Sequence, residues 1–143
     1  MKNKNLPSRT LSLITFADKN LPSLCSEEPF FARVKMNIIY HKGLKPQKWY
    51  SMNLFEQMAN IGSEVERTIK WRKKIPKYSQ LAFERMLELI DLTVSDPKNK
   101  NRLKEILRVR ETLADYFTGE NIYKSSDRLW QNYFYGFNYA ARI

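Results

Sequence analysis

One cysteine, one histidine and four glycines in 143 residues are few, and each scarcity excludes something. A lone Cys25 cannot build an internal disulfide framework, and it fits a reducing cytoplasm, the expected location. With His41 as the only imidazole, neither a four-ligand structural zinc nor the paired Glu-x-x-His set of a di-iron bundle can be completed. So few glycines argue against a sheet-rich fold with many tight turns, and no Walker loop, dinucleotide fingerprint or Gly-x-Ser-x-Gly elbow occurs. No apolar run approaches a membrane span. Lys2 and Lys4 are not followed by the apolar stretch of a secretory signal. The reading is therefore of a non-catalytic protein with no metal, no cofactor and no membrane partner.

Acids are scarce as well. Asp and Glu number 15 against 25 Lys and Arg, a net charge of +10 with a pI near 9.7. Such a surplus attracts polyanions and says nothing of fold. The charge is +6 over residues 1–50, +2 over 51–76, −2 over 77–97, +3 over 98–118 and +1 over 119–143. Only the third block is acidic. Its Glu84, Glu88 and Asp91 fall on one helical face, which reads as a solvated acidic stripe facing basic helices rather than a metal site.

From Asn53 onward the hydrophobic period is helical. Asn53 and Glu56 form a capping box, and Leu54, Met58, Ile61, Val65 and Ile69 draw one apolar stripe until Pro76 ends the helix. Gly62 within that stripe suits the close approach of another helix. A second helix is predicted from about Ser79 to Ser95, with Leu81, Ala82, Met86, Leu89, Ile90 and Thr93 on its broad face. Asp96 then caps a third helix with Pro97 at its first position, and Gly119 closes it. Ser126 caps a fourth, with Leu129, Tyr133, Phe137 and Ala140 along one side. The connections near 74–78 and 95–98 are very short and force antiparallel neighbours. The expected fold is all-α, an antiparallel up-down-up-down four-helix bundle over residues 51–143.

Residues 1–50 read as a separate, basic N-terminal arm. "ARVKMNIIY" alternates Val34, Met36, Ile38 and Tyr40 against Arg33, Lys35 and Asn37, a strand pattern, and "LSLITF" at 11–16 is a second short strand. Residues 1–10 are expected to be disordered. The arm is therefore extended and partly β, pairing with itself or with a neighbouring subunit.

Charge sits beside aromatic rings in three places. "KWRKKIPK" holds Trp71 among Lys70, Arg72, Lys73, Lys74 and Lys77; "YHKGLKPQKWY" holds Trp49 among Lys42, Lys45 and Lys48; the run after Pro97 adds Lys100, Arg102 and Lys104. Cations neutralise phosphates and rings stack on unpaired bases, a mixture that suits RNA or single-stranded DNA. Cations at a helix C-terminus also complement its dipole, which accounts for Lys73 and Lys74 but not for a chain-wide excess of ten. The runs fall at two opposite poles of the bundle. On the last helix, Trp130, Phe134, Tyr135 and Tyr139 point to more than one side, more rings than a monomer buries, and mark a self-assembly surface, with base stacking as the alternative.

In length, charge and helix count, residues 53–142 resemble two groups of small basic four-helix-bundle proteins. These are the accessory proteins encoded beside reverse transcriptases of diversity-generating retroelements, and the bundle proteins encoded within ribosomal-RNA intervening sequences. The resemblance implies closed rings that bind nucleic acid; no residue role is carried over from it. The functional expectation is a nucleic-acid-binding accessory protein acting as a small homo-oligomer, assisting a reverse transcriptase or RNA-processing enzyme. The alternative is a protein–protein adaptor that docks through its N-terminal strand and aromatic fourth helix.

Overall fold

The computed structural model describes residues 38–143. It is all-helical over that span: α1 (Pro46–Tyr50), α2 (Leu54–Arg72), α3 (Pro76–Ser95), a 3-10 helix (Pro97–Arg102), α4 (Leu103–Thr118) and α5 (Asp127–Arg142). The second strand at 11–16, Cys25, the tail at 1–10 and most of "ARVKMNIIY" lie outside the described residues. The part of that strand that is described, Ile38–Tyr40, forms bends and no ladder.

α2 starts where its cap dictates. The Glu56 N–H donates to Asn53 Oδ1 at 2.9 Å, and the Asn53 N–H donates back to Glu56 Oε2 at 2.8 Å. Met58, Ile61 and Val65 are buried along its stripe, and Leu54 and Ile69 close the ends. α3 begins at Pro76, three residues before the predicted start at Ser79. Proline fits the first helical position, whose N–H has no intrahelical partner in any case. Ser79 thus falls inside the first turn, and its hydroxyl donates to the Thr68 carbonyl of α2 at 2.8 Å. α3 is the most deeply embedded helix, with Phe83, Met86, Leu87, Leu89, Ile90 and Leu92 all buried. Leu81, predicted for the core, is exposed instead.

The acidic stripe of α3 is not solvated. Glu88 is buried, and it accepts three consecutive main-chain N–H bonds, from Ile39 (2.8 Å), Tyr40 (2.9 Å) and His41 (2.9 Å). His41 Nδ1 lies 3.0 Å from the same carboxylate, and the Tyr40 hydroxyl donates to Glu84. Asp91 accepts from Arg110 of α4 through Nε (2.7 Å) and Nη2 (3.2 Å). Burial forces each carboxylate to find donors. The first takes backbone and the last takes a guanidinium.

The same accounting governs the end of α3. Asp96, fully buried, caps the next segment by accepting from the Lys98 N–H at 3.0 Å, and the chain winds as 3-10 before α4 takes over at Leu103. Gln57 donates to Asp96 Oδ2 (2.8 Å) and to the Trp49 carbonyl (3.0 Å), while Asn99 donates to Gln57 Oε1 and the Thr93 carbonyl (both 2.9 Å). Trp49 completes the cluster by donating its indole N–H to Thr93 Oγ1 at 3.2 Å. Residues 38–50 therefore join the helical core rather than standing apart from it: Ile38, Leu44 and Trp49 all pack there.

Gly119 does end α4, but with extended backbone (φ −105°, ψ −158°) rather than a left-handed cap. Asn121 and Lys124 take the positive φ angles of the following turn. Ser126 then caps α5, accepting from the Leu129 N–H. α5 lies against α2 at Gly62, where an added Cβ would stand 2.8 Å from Phe134 Cβ. That atom is fixed to the α5 backbone, so relief requires the helix to move. Gly62→Ala gains about 1 kcal/mol of helix propensity but overpacks a core contact at about 1–3 kcal/mol. We expect a net fall in Tm of several degrees; an unchanged or raised Tm in a thermal melt would show that the two helices can part freely.

Candidate nucleic-acid interface

The predicted site residues divide sharply by burial. Trp49 is only 2% exposed and its N–H is spent on Thr93, so it cannot stack on a base. Lys42, Lys45 and Lys48 remain exposed around it, as do Lys100, Arg102 and Lys104 beyond Pro97. The two runs meet, because Lys98 Nζ donates to the carbonyls of Tyr50 and Met52. This pole has cations, but the ring assigned to it belongs to the core.

Trp130 and Phe134 are likewise core residues, not interface residues. A large ring on the inner face of an amphipathic helix buries more apolar area than any other side chain can. Tyr135 and Tyr139 do face solvent, at 70% and 62% exposed.

At the other pole the α2–α3 turn brings the first run together. Lys70, Lys73, Lys74 and Lys77 are exposed, and none has an acidic partner among the described residues. Arg72 is different. Its Nη2 contacts Asp127 Oδ1 at 2.6 Å, and its guanidinium lies over the Tyr116 and Phe117 rings at 5.2 and 5.6 Å. Burial alone would lower its pKa, but the bonds to Tyr116 and Asp127 prevail and hold it above the ordinary arginine value. Burial, then the hydrogen bond to Asp127, pushes the Tyr116 phenol up as well. Arg72 therefore ties α2 to α4 and α5 and is not a free phosphate ligand.

Helix dipoles do not account for this corner. Lys73 and Lys74 sit well at the negative end of α2, but Lys77 stands in the acid-free first turn of α3, at its positive end. A cation there is unfavourable by itself, and an anion bridging the lysines would relieve it.

Trp71 is half-buried and meets Tyr78 edge-on, with ring centroids 5.5 Å apart and planes at 90°. Tyr78 is 49% exposed. Lys70 Nζ lies 5.6 Å from the Trp71 ring centroid. Beside the rings runs a shallow groove of about 150 Å³ whose lining includes Trp71, Tyr78, Leu81, Glu64, Arg67 and Arg85. Tyr78, Arg67, Arg85 and Glu64 were not marked by the sequence. Glu64 and Arg67 carry a visible i, i+3 pairing, but Arg85 reaches Glu64 only across the α2–α3 contact. On the opposite side of the turn a cleft of about 170 Å³ includes Arg72, Phe83 and Phe117 in its wall, the ion-paired Arg72 among them.

Among the described residues no group of three metal-ligating side chains converges, and no helix is long and apolar enough to cross a membrane. Comparison with protein-family models, with curated proteins and with solved structures finds no match to this chain.

Proposed function

We propose that the protein is a non-catalytic, cytoplasmic accessory protein that binds RNA or single-stranded DNA at the α2–α3 corner. The observation that carries this reading is the cluster of four exposed lysines, Lys70, Lys73, Lys74 and Lys77, without acidic partners among the described residues and beside the partly exposed rings of Trp71 and Tyr78. Unpaired cations supply phosphate contacts and accessible rings supply stacking. The exposed cations at the far pole extend the path for a strand, and an accessory role beside a reverse transcriptase or RNA-processing enzyme fits such a surface.

The four long helices form an antiparallel up-down-up-down bundle in this reading. Support comes from the pairs at their ends: Thr68 with Ser79 and Gln57 with Asp96 for α2 and α3, and Phe83 with Phe117 for α3 and α4. Arg72 with Asp127 and Phe55 with Phe137 do the same for α2 and α5.

Replacing Lys73, Lys74 and Lys77 together by Gln tests the binding surface without touching the core. Helix content should stay within a few per cent of the parent, since such surface changes move stability by only about 0.5 kcal/mol each. Binding to a single strand should weaken, and its salt dependence should flatten by about two units of slope, at roughly 0.7 per lost contact. Unchanged affinity and slope would remove this function. Binding to a protein partner that ignores salt would then favour the adaptor reading, in which exposed Leu129, Tyr135 and Tyr139 of α5 dock onto a larger enzyme.

The same exposed side of α5 is the proposed self-association surface. Sedimentation at tens of micromolar, within the range of weak association, should reveal a species larger than the monomer. Tyr135→Ser with Tyr139→Ser should reduce it. A strict monomer sinks the homo-oligomer.

A further inference from the structure

We infer that the groove beside Trp71 and Tyr78 receives one unpaired base of the bound single strand, a role that rests on the nucleic-acid reading above. Three independent features of the groove converge on a base. The perpendicular rings make an L-shaped corner, one plane against which a flat ligand stacks and one edge that stops it. Lys70 Nζ lies 5.6 Å from the Trp71 centroid, and the exposed Lys74 and Lys77 belong to the same α2–α3 turn, a supply of cations for the phosphates flanking such a ligand.

The third feature is chemical. Glu64 is buried and uses Oε1 for both Arg67 and Arg85, while its Oε2 has no partner among the described residues. Arg85 Nε, on the same ion pair, is buried and likewise without a partner among the described residues. A buried acceptor and a buried donor left unsatisfied together are costly. The hydrogen-bonding edge of a nucleobase sets a donor next to an acceptor and answers both. An apolar peptide side chain would answer neither, and a cationic one would be repelled by the lysines. Arg67, with 54% of its side chain exposed against 38% for Arg85, is the freer of the two arginines on Glu64 and the one able to swing aside for the base edge.

Stacking and phosphate contact can be separated by a strand that has no bases. The probes are a single strand of about ten adenosine nucleotides and an abasic strand of the same length and charge, within the usual site size. Of the three tryptophans, Trp49 and Trp130 are buried, so a change in intrinsic fluorescence reports Trp71. The base-bearing strand should quench it and bind about 5- to 150-fold more tightly than the abasic one. Tyr78→Ala, at an exposed position, should remove most of that preference with the Tm nearly unchanged. The Lys73, Lys74 and Lys77 triple variant should weaken both strands alike and preserve the ratio. Equal affinity for the two strands, or a preference that survives Tyr78→Ala, overturns base insertion while leaving phosphate binding intact. Binding of neither strand removes the proposed function and the groove's role together.

Discussion

Asp91→Ala should cost about 3–5 kcal/mol, the loss that follows when one member of a buried ion pair is removed. Arg110 is 2% exposed, and two of its guanidinium nitrogens are held by Asp91. Its third, Nη1, is buried without a partner among the described residues. Alanine at 91 would leave a full charge inside the α3–α4 contact with nothing to bond. Against a total stability of about 5–15 kcal/mol this is a large fraction. Replacing both residues by apolar ones, Asp91→Leu with Arg110→Met, should recover most of the loss, because the pair repays little beyond its own desolvation. Urea melts of the two variants decide the matter. A single variant within 0.5 kcal/mol of the parent would mean that Arg110 reaches water when its partner is gone.

Trp49→Ala is the second large effect, at about 3–5 kcal/mol and a fall in Tm of well over about 10 °C. Trp49 stands in a helix of only five residues. The loss follows from the indole being packed in the core and bonded to Thr93, 44 positions away, with the Trp49 carbonyl engaged by Gln57. Trp71→Ala should do the reverse, weakening nucleic-acid binding with a much smaller change in Tm, since that ring is half-exposed and its partner Tyr78 is on the surface. If Trp49→Ala melted normally but lost nucleic acid, the stacking role would return to it.

These two tryptophans show what the sequence could and could not disclose. Both stand among lysines, and nothing local separates them. Their fates differ because the Trp49 indole meets Thr93, 44 positions away, whereas the Trp71 ring meets Tyr78 just across the turn. By contrast α2 was legible because its evidence is local: the Asn53–Glu56 box and the apolar stripe that follows it are short-range relations. Gly62 was legible for the same reason, since a glycine inside a strong apolar stripe has few structural uses. The start of α3 lies three residues before Ser79 because Pro76 closes off one helix and opens the next, and its pattern alone does not say where the second begins. The rings of α5 were counted correctly but apportioned wrongly. Trp130 and Phe134, four apart on one face, lie inward, while Tyr135 and Tyr139 stand well outside and Tyr133 is exposed to a lesser degree. At the candidate site the lysines could be read directly. Arg72 could not, because its partners Tyr116 and Asp127 lie 44 and 55 positions away.

The grip of Glu88 on residues 39–41 has a consequence for which substitutions the chain can accept. The carboxylate binds main-chain N–H groups, which nineteen of the twenty amino acids offer alike. Ile39, already exposed, can therefore drift freely in identity without loosening the attachment, while proline there would delete a donor outright. At position 39 the information that holds the chain to α3 is written on the helix at Glu88, whereas Tyr40 and His41 add side-chain contacts of their own to Glu84 and Glu88.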